Sequence, residues 1–257
     1  MTDRKQVLWG VNSDSDRLFL SRMCDINDKS DLTGRIMHTR FLTPKEQMLI
    51  SQRQSHFGSV EFFGGYDDAE RKIAFFVPND WEEKPSVITA VRIRPTNKRT
   101  YSHRDYLGSL LALGITRELT GDIVTDSDGA VVFVMQEIAD FILMNLSRVA
   151  SASVKTELTD ISSDMANTKS FKDISCTVSS MRLDCVLSAV MGKSRAYSSG
   201  VIEEGLASVN YEVTKNTTCK IKSGDIISVK GFGKAVISTD EHLTKKGRIH
   251  IEVKKYI

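Results

Sequence analysis

The chain has 257 residues, of which 40% are hydrophobic and 26% are charged, and its formal net charge is +2. This is the composition of an ordinary globular protein, and the length suffices for two or three folded units. The N-terminus is polar, and no apolar run approaches the ~20 residues of a membrane span, so the sequence predicts a cytoplasmic protein without a signal peptide. The four cysteines lack the spacing of a zinc site, and reduced thiols without a cofactor are expected.

Residues 1–82 are predicted to form a small α/β unit. A helix is expected over residues 14–27, where apolar side chains recur at helical spacing. Thr43 can cap a second helix, because Pro44 suits its first turn. The two strands that follow are Val60–Phe63 and Ile73–Val77.

Residues 83–160 are predicted to form a separate domain with the element order βαββαβ. The elements are strand Val87–Arg94, helix His103–Leu113, strands Asp122–Thr125 and Ala130–Met135, helix Gln136–Leu146 and strand Val149–Leu158. This order is typical of ferredoxin-like and RNA-recognition folds. Only Phe133 is aromatic on a central strand, so base stacking by this sheet is not expected.

Residues 161–180 have the polar composition of a linker, with a short strand at Ile174–Val178. Residues 181–257 then read as two short helices followed by a small β-sheet. Leu183–Val190 carries the apolar face of the first helix, and Ser194 caps the second, whose apolar positions are Tyr197, Val201 and Ile202. The strands are Ala207–Asn210, Ile226–Lys230, Ala235–Ser238 and Arg248–Tyr256. The chain as a whole is therefore predicted to be an α+β protein.

Positive charge is concentrated in this last segment. Residues 181–257 hold 13 Lys and Arg against 8 Asp and Glu, whereas residues 1–180 hold 22 against 25. A basic module on a mildly acidic body suits a polyanion, since cationic side chains release counterions from phosphates.

Several residues of the last segment form a recognisable pattern. They are Arg182-Leu183-Asp184, Ser194-Arg195, Ile202, Gly205, Val209-Asn210, Gly224-Asp225 and Ile227. The pattern resembles the RNA-binding domain first described in small-subunit ribosomal protein S-four. One departure is Tyr211, where that family usually has Gly, and the turn there is expected to differ.

Three upstream motifs are similar to those of the YlmH family. They are Phe41-Leu42-Thr43-Pro44-x-Glu46, Gly64-Gly65-Tyr66-x-x-Ala69-Glu70-Arg71, and His103-Arg104-Asp105-x-Leu107-Gly108 continuing to Arg117-Glu118-x-x-Gly121-Asp122. The resemblance implies a bacterial ribosome-associated RNA-binding protein. It implies, as partners, ribosomal RNA of the large subunit and tRNA, and as role the rescue of obstructed subunits in translation quality control. The family is also linked to cell-division gene neighbourhoods.

Backbone N–H groups at the start of the second helix can hold a phosphate. Arg195 in that first turn is unfavourable for the helix dipole, which suggests that an external anion completes the site. The residues predicted to bind RNA are Arg182, Lys193, Ser194, Arg195, Lys220, Lys222 and Lys230. A second contact is predicted at His103, Arg104 and Arg117; the competing interpretation for this group is helix capping and local pairing.

Two other classes of function remain as alternatives. Pseudouridine synthases often carry the same RNA-binding domain, but their catalytic Asp lies in a separate large domain, whereas Asp184 belongs to the binding domain itself. The sequence therefore predicts a non-enzymatic protein. The other alternative is a protein-interaction scaffold linked to cell division, with a protein partner bound through residues 1–160.

Overall fold

A computed structural model describes residues 2–78, 85–161, 171–239 and 247–256 of the chain. The chain divides into two compact units, Met1–Thr168 and Lys169–Ile257. Both units mix helices with antiparallel sheets, so the protein belongs to the α+β class that the sequence predicts. No helix in the described part of the chain is both long enough and apolar enough to cross a membrane.

The first unit begins with helices packed on a three-stranded antiparallel sheet of order β1-β3-β2. Its elements are α1 (Arg4–Val7), α2 (Asp14–Thr33), β1 (Met37–His38), α3 (Pro44–Ser51), β2 (Ser59–Phe63) and β3 (Ile73–Val77). The predicted start of α3 is confirmed, since Thr43 and Glu46 form a reciprocal capping box. Helix α2 extends past the predicted residue 27 and ends at Gly34, which adopts a φ of 61°.

The same unit continues with a five-stranded antiparallel sheet of order β5-β6-β4-β8-β7. Its elements are β4 (Ile88–Pro95), α4 (His103–Ala112), β5 (Thr120–Asp126), β6 (Gly129–Met135), α5 (Ala139–Asn145), β7 (Arg148–Val149) and β8 (Ala152–Thr159). The order strand, helix, strand, strand, helix, strand is the one expected from the sequence. The predicted helix 136–146 is shorter, because Gln136–Ile138 forms a 3₁₀ turn before α5.

Both faces of the five-stranded sheet are covered by the unit's own chain. One face packs on α4 and α5, where Tyr106, Leu110 and Ile142 are buried. The other packs on residues from the first part of the unit, and Phe133 there is fully buried. The ring of Tyr66 lies 5.1 Å from that of Phe133. The boundary expected at residue 82 therefore does not separate two compact units, because the two sheets share a core.

The approach of the chain to Phe133 requires a glycine. Gly65 has a φ of 102°, and a Cβ atom built on it would lie 2.3 Å from Cδ1 of Phe133. Neither the backbone conformation nor the space admits a side chain. Gly65 thus lets the segment before β3 lie directly on the sheet face.

The second unit is a six-stranded antiparallel sheet of order β11-β10-β12-β13-β14-β9, with two helices on it. Its elements are β9 (Phe171–Val178), α6 (Leu183–Met191), α7 (Arg195–Glu203), β10 (Ala207–Val209), β11 (Glu212–Val213), β12 (Ile226–Val229), β13 (Gly233–Ser238) and β14 (Ile249–Tyr256). The linker expected over 161–180 is corrected in its second half, since all eight residues of β9 pair with β14. Residues 162–170 of that linker lie outside the described residues.

Two details of this unit differ from expectation. Tyr197 is not packed in the core but has 52% of its surface exposed. The turn between β10 and β11 places both Asn210 and Tyr211 at positive φ, 48° and 68°. Tyr211 thus stands in the left-handed conformation that glycine adopts most readily, at the position where the S-four pattern has glycine.

Candidate nucleic-acid interface

Asp184 is the centre of the predicted basic site in the second unit. Its carboxylate accepts hydrogen bonds from Nε and Nη2 of Arg195 at 2.9 and 2.8 Å, and from Nε and Nη2 of Arg182 at 3.2 and 3.1 Å. Arg182 precedes α6 and Arg195 opens α7, so the bend between the helices brings the two guanidinium groups to one carboxylate. The two arginines are therefore held side by side.

The electrostatics of this cluster leave it positive. The side chain of Asp184 is 4% exposed, whereas those of Arg182 and Arg195 are 39% and 53% exposed. Burial acts to raise the pKa of Asp184, but hydrogen bonds from Arg195 and Arg182 outweigh it and lower the pKa. The carboxylate is thus ionised at neutral pH, and two exposed cations share one buried anion.

The sequence suggested that an external anion offsets the unfavourable position of Arg195 at the start of α7, and the structure corrects this expectation. The anion facing Arg195 is Asp184, within the same unit. The Ser194 hydroxyl accepts the N–H of Tyr197 at 3.1 Å, so it caps α7 as predicted. A phosphate would meet the outward edges of the two guanidinium groups rather than an unoccupied Arg195 fork.

The predicted lysines divide into two groups. Lys220 lies opposite Arg182 in a backbone bridge, with the N–H of Leu183 on the carbonyl of Cys219 at 2.8 Å. Lys222 follows two residues later, Lys193 lies in the turn before α7, and all three lysines are exposed.

Lys230 lies elsewhere. Its N–H bonds the carbonyl of Leu206, beyond the C-terminal end of α7, whereas Arg195 stands at the helix's start. Nine helical residues span about 13 Å. The structure thus does not bring Lys230 to the arginine pair.

Tyr197 is a candidate contact that the sequence analysis missed. Its ring is exposed in the first turn of α7, two residues after Arg195. Apolar spacing assigned it to the core, because Tyr is compatible with either environment. An exposed aromatic ring next to cations can stack on a nucleic-acid base.

The predicted second RNA contact lies in the first unit, and the structure places Arg104 on a different surface from His103 and Arg117. Burial and the charge of Arg117 both lower the pKa of His103, which places these two side chains near each other. Nη1 of Arg117 donates to the carbonyl of Gly121 at 3.1 Å. Arg104 is exposed and lines a different surface, a groove beside α4.

The upstream motifs converge on Asp122. Its carboxylate accepts the Tyr66 hydroxyl at 2.8 Å and the N–H groups of Glu70 and Arg71 at 2.6 and 3.0 Å. The buried guanidinium of Arg71 donates to the carbonyls of Phe41, Arg117 and Thr120. These residues join the two sheets of the first unit, which assigns the motifs an architectural role.

The fold and the paired arginines define an α+β protein with a basic surface site. Residues 86–163 match the family model described as "Putative RNA-binding domain in YlmH". The chain is 33% identical over 219 residues to the ribosome-associated protein quality control protein P2 of Bacillus subtilis (strain 168), across 83% of this chain and 85% of that one. The chain belongs to the YlmH family.

A solved structure is also similar to this chain. It is the cell division protein ylmH from Streptococcus pneumoniae, at 20% identity and a TM-score of 0.50, covering 59% of this chain and 94% of that one. At this identity the likeness concerns the fold alone.

Proposed function

We propose that the protein docks on ribosomal RNA of the large subunit through residues 181–257, acting as an S-four-type RNA-binding domain. The observation that carries the proposal is the pair of exposed arginines, Arg182 and Arg195, braced by buried Asp184. Guanidinium groups bind phosphate bidentately, and their value rises when they are held in place before binding. Lys220, Lys222, Lys193 and Tyr197 extend the same surface.

The name of the relative supports a proposal for the cellular role. A protein named for ribosome-associated quality control shares a third of its residues with this chain along most of both lengths. We propose that this chain acts in the same process on obstructed large subunits in the cytoplasm, with tRNA as a further partner. Residues 83–160 serve as a ferredoxin-like, RNA-recognition-like module within it.

A non-catalytic role is part of the proposal. Asp184, the residue that a pseudouridine-synthase interpretation would use, is 2% exposed and bound to two arginines. A carboxylate buried beneath two guanidinium groups is not available to attack a base. Its contacts fit the orientation of the arginines instead.

The test replaces both arginines by glutamine, Arg182→Gln with Arg195→Gln, and measures filter binding to large-subunit rRNA and co-sedimentation with large subunits. Glutamine is chosen because glutamate would face Asp184. We expect affinity to fall at least tenfold, and the log–log salt slope to fall by about one to two units. The matched control, Lys215→Gln with Lys254→Gln, removes the same charge at two exposed positions of the unit. Equal losses in both variants would reject the site.

The scaffold interpretation has one observation in its favour. Trp9 and Leu32, in the helical part of the first unit, are 84% and 87% exposed. Large apolar side chains left on a surface are typical of protein contacts. Loss of ribosome co-sedimentation in Trp9→Ser with Leu32→Ser, with rRNA affinity unchanged, would support a protein partner for residues 1–160.

A further inference from the structure

The central sheet cannot bind RNA in the manner of an RNA-recognition domain. Such domains stack bases on the exposed face of the sheet. Here one face packs on α4 and α5, and the other is buried beneath Tyr66 and its neighbours, with Phe133 fully buried. Any RNA contact of this module must therefore lie outside the centre of the sheet.

The two arginines of β4, Arg92 and Arg94, are also a poor site for RNA. Each is paired with acidic side chains. Their partners are Asp126, Asp128 and Glu157. Two cations among three carboxylates leave no positive charge to attract a phosphate.

Two exposed arginines lie on the helical side of the unit. A groove of about 470 Å³ runs between α4 and the turn from α5 to β7, and Arg104 and Arg148 line it from opposite walls. Gly108 of α4 also lines the groove, and no atom lies within 4 Å of the position its Cβ would take. Both arginines are exposed, and neither forms an ion pair with an acid among the described residues.

Further positive charge adjoins this groove. Arg99, in the loop before α4, and Arg104 both lie near Asp105, whose pKa is lowered by hydrogen bonds from Ser102 and by these two charges. Asp105 is the one acidic residue lining the groove, and its Oδ2 accepts the Ser102 N–H and hydroxyl at 2.8 Å. Lys98 is exposed beside Arg99, and both line a neighbouring cavity together with Asp126 and Asp128. Arg99 and Arg104 thus lie near a carboxylate that already caps α4.

We propose that this groove, lined by Arg104 and Arg148 and flanked by Lys98 and Arg99, binds the phosphate backbone of RNA. The inference deepens the proposed function and rests on it, since it adds a second RNA contact from the first unit. It also separates Arg104 from His103 and Arg117, neither of which lines the groove. Arginine suits the site because its planar fork matches two phosphate oxygens, and Nη2 of Arg148 is held by the carbonyl of Ser151 at 3.2 Å.

The experiment uses the full chain with Arg104→Gln and Arg148→Gln together. The probes are phenol-extracted large-subunit rRNA and the intact large subunit. We expect affinity for both probes to fall about tenfold, and the log–log salt slope to fall by between one and two units. The control, Lys5→Gln with Arg35→Gln, removes two exposed cations elsewhere in the first unit and should bind like the wild type. If the double variant proves unstable in a thermal melt, Arg104→Gln alone takes its place, because the Arg104 side chain makes no hydrogen bond to another described residue. We expect its RNA affinity to fall about threefold.

The remaining outcomes separate the proposals. Wild-type affinity in a folded groove variant overturns the inference. Weaker binding to the intact subunit, with extracted rRNA bound as before, assigns the groove to an acidic protein segment and overturns it as well. If the wild type binds neither probe, the proposed function itself fails. If only the Arg182 and Arg195 variant loses binding, the proposed function stands and the groove contact falls.

Discussion

The two units each contain a carboxylate that gathers several hydrogen-bond donors, and the donors differ. Asp122 accepts two backbone N–H groups and the Tyr66 hydroxyl, all from a segment more than 50 residues earlier in the chain. Asp184 accepts two arginine side chains that remain exposed. The first carboxylate therefore holds parts of the fold together, whereas the second orients positive charge toward solvent. The donors, rather than the carboxylate, indicate which role such an acid has.

The largest expected effect is at Asp122. Asp122→Ala leaves the N–H groups of Glu70 and Arg71 and the Tyr66 hydroxyl without their acceptor. Each unsatisfied donor costs about 1–3 kcal/mol, so the free energy of unfolding should fall by about 3–5 kcal/mol. Urea denaturation of the full chain measures the loss. A decrease below about 1 kcal/mol would show that Asp122 does not join the two sheets.

The next effect concerns Arg195. Arg195→Glu places a second carboxylate against buried Asp184, and Arg182 alone must neutralise both. We expect the free energy of unfolding to fall, and to fall less for Arg195→Gln, which adds no second negative charge. The sequence alone suggested the opposite for glutamate, since an acid is favourable at the start of a helix. A glutamate variant as stable as the wild type would restore that view and exclude the Asp184 pairing.

Asp184→Asn tests whether Arg182 and Arg195 bind RNA through their fixed orientation or through their charge alone. The change raises the net charge by one, so charge alone predicts tighter RNA binding. We expect binding to weaken about fivefold instead, or about 1 kcal/mol, because the two arginines lose the anion that fixes them. Filter binding at two salt concentrations measures the effect. Tighter binding would show that the arginines act as mobile charges.

The smallest effect is a pH dependence. The pKa of Asp184 is lower in the folded protein than the ~3.9 of an unfolded Asp, so its ionised form stabilises the fold. That contribution is fully present above about pH 5 and is lost as the pH falls through the folded pKa. The stability difference between wild type and Asp184→Asn should therefore shrink below about pH 4. Urea midpoints from pH 7 to pH 3 provide the check, and a constant difference would contradict it.

Local signals in the sequence predicted much of the fold. Thr43 with Pro44 and Ser194 marked helix starts that the structure confirms, because a cap is a property of a few adjacent residues. The strand β9 was only half recognised. Its polar residues Lys172, Asp173, Ser175 and Thr177 look like a linker until the pairing with β14, 71 to 85 residues away, is known.

The contacts within the site could not be read from the sequence. Arg182 and Arg195 were both named as RNA-binding residues, which stays a prediction, and the structure places them on one carboxylate. Their common partner could not be predicted, because Asp184 is eleven residues from Arg195 and its burial depends on the packing of α6 and α7. The burial of Phe133 by the segment around Tyr66 could not be predicted from the sequence either, because it depends on the close approach at Gly65.

The pairing of β9 with β14 also bears on biosynthesis. β9 is the first strand of the second unit to be made and stands at the edge of the sheet, and its one neighbour there, β14, is the last of the unit's described strands to be made. Throughout translation of the unit, β9 has no strand to pair with and presents open backbone donors and acceptors. Such an edge invites association with other nascent chains. Lys172 and Asp173 are both exposed, and their charges on the unpaired strand disfavour its pairing with a strand of another chain.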